Sequence, residues 1–399
     1  SSAGNWDALP DASNVLDVNI PEGASVAYDL PGTTNLQTLN SSGDLTMANG
    51  NLSIGSALNA LSFSQSAGNL NGGGSLNVGG SFSQTGGVIN LGGSVAIAQT
   101  SGNLVVGTII ASGITLAANA GNIAQGGYLS STGLVTAQSQ SGIALTHAGN
   151  QFNSFAGNVT GTGHIDLTNT GALDLVQLTT ADGGITVNNT GGVVTQGAVN
   201  ATGGQVSITA NSPLTVGAGG VSATGNINLA ATNMTSTGNM VLNGSVNSSG
   251  GSVTMNAAND LTQNGAVAGA TGISATAGNT ISFGGSASSM GAPQSYMAGG
   301  SPVSAPGSPA PAPTPPAPPA PTPPAPSPSA GTTVDRIVDI LRGNDDTTRA
   351  DIQKIVDETG NKLTTFALLL IKEEEKQAQE KKDKEEGETL TGSVDQQCN

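Results

Sequence analysis

The first 330 residues of this 399-residue chain contain no lysine and no arginine; all ten basic residues lie between Arg336 and Lys384. Without cations such a surface cannot neutralise phosphates, so nucleic acid is excluded as a partner. Cysteine occurs once, as Cys398, so no disulfide can close within the chain. Aromatic residues are 3% of the chain and hydrophobic residues 36%, too little bulk for a large globular core. The two histidines, His147 and His164, have no adjacent Cys or Glu to complete a metal site. Only ten carboxylates precede residue 330, and they are scattered singly. Lyases and hydrolases that act on polysaccharides need clustered carboxylates, or a basic residue to handle a uronate. The chain therefore reads as a non-enzyme with no catalytic residue, no cofactor and no metal. Repeated Gly-Gly-x-Gly-x-Asp calcium phrases and an Arg-Gly-Asp tripeptide are also missing.

What is present repeats. Ile165, Ile185, Val206, Ile227, Val253 and Ile273 open similar phrases, spaced 20, 21, 21, 26 and 20 residues apart. A fixed period in this range is the signature of a solenoid. Within one phrase, Ile165 and Leu167, then Leu173 and Leu175, then Leu178 alternate with polar residues. This gives two or three short strands with period-two alternation, separated by Gly, Asn, Asp or Thr. One such coil cannot bury its own apolar face and needs neighbours above and below. The expected fold is all-β, a parallel β-helix of on the order of a dozen coils and roughly 60 Å over residues 40–290, at about 4.8 Å per coil. The 59 glycines suit its many corners, and Asn and Asp tolerate the same left-handed conformation. Disorder is the competing explanation for so much Gly and Ser, but a disordered chain does not hold Ile-x-Leu phrases in register.

A second motif recurs less evenly, as Phe63-Ser64-Gln65, Phe82-Ser83-Gln84, Ile97-Ala98-Gln99, Ile123-Ala124-Gln125, Val194-Thr195-Gln196 and Leu261-Thr262-Gln263. Its glutamines either cap or ladder along the stack, as amide side chains do, or are surface turn residues without a partner. Residues 1–60 form an N-terminal β module continuous with the rod of residues 61–300. The single tryptophan, Trp6, is read as a plug for the open end of the solenoid, in preference to a sugar-stacking platform, because no second aromatic accompanies it.

The phrase from Trp6 to Ile20 and the coils after it, with Val194-Thr195-Gln196-Gly197 and Gly163-His164-Ile165-Asp166-Leu167, resemble filamentous haemagglutinin-type adhesins of bacterial two-partner secretion. The resemblance covers about 290 of the 399 residues. It implies a right-handed parallel β-helix, export through a two-partner outer-membrane transporter, and display on the cell surface or secretion. It further implies a role in attachment or biofilm, with a host-cell or matrix glycan or protein receptor that the motifs do not name. The chain opens Ser1-Ser2-Ala3-Gly4 with no apolar leader, so a carboxy-terminal portion of a longer protein is expected.

Fourteen prolines lie between Pro302 and Pro328. Residues 301–330 are expected to be an extended spacer, of roughly 80 Å at full stretch. Residues 331–399 change to helical periodicity. Val334, Ile337, Val338 and Leu341 share one face before Gly343, and a second helix carries Ile352, Ile355 and Val356. A third, from about Lys362 to Glu386, is apolar in its first half, with Phe366, Leu369 and Leu370. That apolar run is too short to cross a bilayer. Phe366, Leu369, Leu370 and Cys398 are the candidate anchoring residues. Related exoproteins close a small hook with a cysteine pair at this end; here one partner is missing, which leaves an intermolecular disulfide or a free thiol.

Eight Asn-x-Ser/Thr sequons are present, at Asn40, Asn51, Asn158, Asn188, Asn200, Asn233, Asn243 and Asn247, about what such a composition produces by chance. The expected function is an adhesin stalk with an anchoring tail, and the alternative is a scaffold or filament subunit without a receptor of its own. An ice- or sugar-binding face would need a regular outward array of Thr-x-Thr, which the sequence does not contain.

Overall fold

The computed structural model describes residues 16–234, 237–289 and 293–305. Trp6, the proline-rich run beyond residue 305 and the candidate helices lie outside the described residues. Within them every regular element is a strand, and the strands wind into a parallel β-solenoid of about 14 turns.

The sequence phrases set the stacking. Ile165, Ile185, Val206, Ile227, Val253 and Ile273 sit directly one above another in a parallel ladder, all nearly devoid of solvent contact. Two further ladders complete each turn. One stacks Leu173, Val193, Leu214, Met240, Leu261 and Ile281. The other stacks Leu178, Val199, Val221, Val246, Val267 and Ala287. Three short strands per turn give three faces, and alternation sends every second side chain into one continuous core. Each fully buried Val, Leu or Ile contributes on the order of 1.5–3 kcal/mol of transfer free energy, which the ordering of the chain largely offsets. The 26-residue step is an insert between Ile227–Ala231 and Met240–Leu242; beyond it the ladder resumes in register.

Toward the amino terminus the strands are longer. Thr33–Met47 and Asn51–Gln65, 15 residues each, run through corners that break the strands elsewhere, with register shifts at Leu36/Thr38 and Ser41/Asp44 absorbing the bends. The ladder continues past residue 60, with a further register shift at Ala60/Ser62.

All fourteen positive-φ residues described are glycines, so the corner tolerance expected of Asn and Asp is not used among the described residues. Many glycines answer a further need. Gly163, Gly183, Gly204 and Gly225 stack at one corner, and a Cβ on Gly183, Gly204 or Gly225 would meet the backbone of the glycine below. Only a residue without a side chain lets successive turns approach there.

The final turn closes differently. Gln294–Ala298 pairs in parallel with the strand Gly272–Ala277 below, then antiparallel with Ser301–Pro302. The Val303 amide donates to the Tyr296 carbonyl at 2.8 Å, and Val303 packs on the core. Residues 301–303, expected to open the spacer, are thus part of the rod: the antiparallel return covers the edge of this strand at Met297 and Ala298, and Pro302 at its end offers no further donor.

Candidate functional site

The recurring glutamines do not share one role. Gln65 and Gln84 lie inside the core, in register on successive turns; Gln84 Nε2 donates to Gln65 Oε1 at 3.2 Å, and Gly107 N donates to Gln84 Oε1 at 2.8 Å. Gln99 accepts a hydrogen bond from Phe82 N at 2.7 Å. Gln125 exchanges two 2.9 Å hydrogen bonds with the amide of buried Asn150. Gln196 is exposed. The amide ladder therefore holds for one neighbouring pair, and the uneven spacing of the motif reflects different corners.

Both histidines accept a hydrogen bond from a glycine amide. His147 is exposed, 6.2 Å from the Tyr128 ring, and its Nδ1 accepts from Gly149 N at 3.0 Å. His164, exposed as expected, accepts from Gly184 N in the next turn at 2.8 Å. Asp260 is ringed by donors: Thr280 Oγ1 at 2.6 Å, Asn279 Nδ2 at 2.9 Å, Asn259 Nδ2 at 3.0 Å and Thr280 N at 3.1 Å. The Thr280 hydroxyl first, and then the amides, hold its carboxyl below the ordinary carboxylate range. Among the described residues no three of His, Cys, Asp and Glu converge on a point where a metal ion would sit.

The outer surface divides into two kinds. Along several columns the side chains are tied to one another. Asn40 donates to Asn19, Asn59 to Asn40 and Asn77 to Asn59, at 3.2, 2.8 and 2.9 Å. Asn264 donates to Asn243 at 3.0 Å. Thr179 and Ser222 donate to the sequon residues Asn158 and Asn200, at 2.7 and 3.1 Å. The outward side of the eleven-stranded sheet is different. Five successive turns present Thr186 and Asn188, Ser207 and Thr209, Asn228 and Ala230, Thr254 and Asn256, then Ser274 and Thr276. Among the described residues, no hydrogen bond ties any of these polar side chains to a neighbour. The patch carries no charge, is preceded by the column Val105, Ala124, Ala144 and Asp166, and ends at Met297. No Thr-x-Thr array marks this patch in the sequence, because its positions are shared among Thr, Ser and Asn. The middle residues of the Ile-x-Ile phrases were the available signal.

The candidate anchoring residues Phe366, Leu369, Leu370 and Cys398 lie outside the described residues. Among the described residues no helix is long and apolar enough to cross a membrane.

A family model described as repeats of unknown function (DUF5649) matches residues 92–162, the stretch that holds the strands from Val95–Gln99 to Gln151–Thr162. No curated protein and no solved structure matches the chain.

Proposed function

We propose that the chain is the stalk of a filamentous haemagglutinin-type adhesin, secreted or displayed on a bacterial surface after export through a two-partner outer-membrane transporter. The observation that carries this reading is the contrast on the rod's surface. Several outward columns tie their own amides and hydroxyls together, whereas the face from Thr186 to Thr276 leaves its donors and acceptors open to whatever lies against it. A face with no charge and no aromatic anchor suits a neutral, hydroxyl-rich receptor better than a protein hot spot. Five turns at about 4.8 Å by five residues at about 3.3 Å make a patch of roughly 400 Å². That is about half of what each partner buries in a standard protein interface. Many weak hydrogen bonds to an extended glycan, repeated along the rod, fit that size. In this reading residues 331–399 hold the cell: Phe366, Leu369 and Leu370 dock in the transporter, and Cys398 adds a mixed disulfide.

The test separates the two halves of the proposal. Deleting residues 333–399 is expected to move the protein from the cell surface to the medium; unchanged retention overturns the anchor. Replacing Thr186, Thr254 and Thr276 by Val and Ser207 and Ser274 by Ala is expected to weaken attachment at least about tenfold, the loss of one or two net hydrogen bonds. If circular dichroism shows an intact rod and attachment is unaltered, the face is not the receptor contact. An intact rod that attaches to nothing would favour the scaffold.

A further inference from the structure

We propose that Asn49 is a site of spontaneous deamidation, the one Asn-Gly pair of this chain whose folded geometry favours the reaction. The chain has four such pairs, at Asn49, Asn71, Asn243 and Asn264. The chemistry is general. The backbone nitrogen after the asparagine attacks the side-chain Cγ and loses its proton as the N–Cγ bond forms. The side-chain nitrogen leaves as ammonia, and water opens the resulting five-membered imide at either carbonyl. The product is aspartate or its β-linked isomer; one water is consumed, one ammonia is released, and nothing is oxidised or reduced.

The four pairs differ in where the glycine nitrogen points. Gly50 N donates to Asn49 Oδ1 at 2.8 Å, which sets the attacking nitrogen against the amide it must reach. Asn49 is exposed, and Gly50 holds a φ of +69°, which a glycine adopts without strain. At the two other exposed corners the same N–H is taken. Gly244 N donates to Val216 O at 3.2 Å and Gly265 N to Leu242 O at 2.8 Å. Their asparagines are further held to each other by the Asn264–Asn243 bond of 3.0 Å. Asn71 sits inside a strand, paired with Ser53 below and Asn90 above. Attack at these three requires a ladder bond to open first; at Asn49 it does not.

The product matters to the rod. Aspartate adds one negative charge to a surface that has no cation to offset it. The β-linked form adds a backbone carbon where Gly68 of the next turn packs on the Asn49 carbonyl, at 2.8 Å from the position a Cβ would take. Nothing in this inference depends on the adhesin reading, and either can fail alone.

The test is to age the 399-residue chain in mildly alkaline buffer and map its chymotryptic peptides by mass spectrometry, scoring β-linked aspartate with an isoaspartyl methyltransferase. In the folded chain Asn49 is expected to convert at least about tenfold faster than Asn71, Asn243 and Asn264, the factor set by one ladder hydrogen bond. In urea the four rates are expected to converge. Conversion of Asn243 or Asn264 as fast as Asn49 in the folded chain overturns the proposal. So does an Asn49 that reacts more slowly folded than in urea. An Asn49→Gln chain keeps the other three sites and checks the peptide assignment.

Discussion

Gln84 stacks directly on Gln65, one turn of the solenoid away, and the two buried amides are joined at 3.2 Å while Gln84 also accepts from Gly107 N. The pair makes a polar seam in a core of Leu, Ile, Val and Phe. Buried amides of this kind contribute little net stability when satisfied and cost much when one partner is lost. Gln84→Leu leaves the Gly107 amide without its acceptor and is expected to destabilise the rod by about 1–3 kcal/mol. Asn59→Ala, which removes a rung of the exposed asparagine column, is expected to cost less than about 1 kcal/mol. Denaturant titrations of both variants check the order; equal losses would mean that the buried seam has no special weight.

Glycine stacking yields a second contrast. A Cβ at Gly204 would press on the backbone of Gly183, and backbone cannot rotate aside. Gly204→Ala is expected to cost about 1–3 kcal/mol, the usual range for overpacking. Gly79 has open space around its Cβ position and no left-handed φ. Gly79→Ala is expected to be neutral, or to stabilise by up to about 1 kcal/mol through the unfolded chain. Thermal melts of the two variants decide this, and a loss at Gly79 comparable with that at Gly204 would refute it.

The rod was legible because its code is local. The spacing of Ile165, Ile185, Val206, Ile227, Val253 and Ile273 marks the ladder residue for residue, and period two names the inward side. The corners were not legible. Whether a glutamine such as Gln65 turns inward or one such as Gln196 outward depends on which backbone groups the neighbouring turn leaves open, and that is a contact between residues about 20 positions apart. The same holds for the glycines: composition suggests turn conformations, yet Gly183, Gly204 and Gly225 answer to the turn below. The closing return at Ser301–Pro302 was hidden by its prolines, which read as spacer although an edge strand accepts one.

The closing turn predicts an alkaline sensitivity. Tyr296 is 2% exposed, stacks edge-on against Phe283 at 5.1 Å, and its buried hydroxyl finds no partner among the described residues. Burial pushes its phenol up to about 12 from an ordinary 10. The folded chain therefore keeps a proton that the unfolded chain gives up. The resulting stability is present in full below pH 10 and is lost as pH rises toward about 12. Tyr296→Phe is expected to keep the ring contact and abolish that loss. Asp260 works in the opposite sense: its lowered carboxyl contributes stability above the ordinary value of 3.8 that is lost as pH falls through its folded value. Melting temperature followed across pH, with Tyr296→Phe and Asp260→Asn, reads out both ends. An alkaline loss unchanged in Tyr296→Phe would assign it elsewhere.

Proteolysis tests the local weakness of the insert. Trypsin has no site before Arg336, so it can trim the tail but cannot probe the rod. A protease of broad specificity can. Nearly every backbone group in the ladders is bonded to the turns above and below, and cleavage there requires strands to leave the stack. Met234, in the insert of the 26-residue step, is 93% exposed and lies outside any strand. Exposed loop tips are where nicking concentrates. The first cut within residues 16–305 is therefore expected beside Met234. The two halves should stay together without denaturant, because Ile227–Ala231 pairs with Val253–Ala257 and Leu214–Val216 with Met240–Leu242 across the nick. Amino-terminal sequencing of the products, with native and denaturing gels side by side, checks both points. A first cut inside the ladders, or halves that separate on the native gel, would show that the stack is not continuous across the insert.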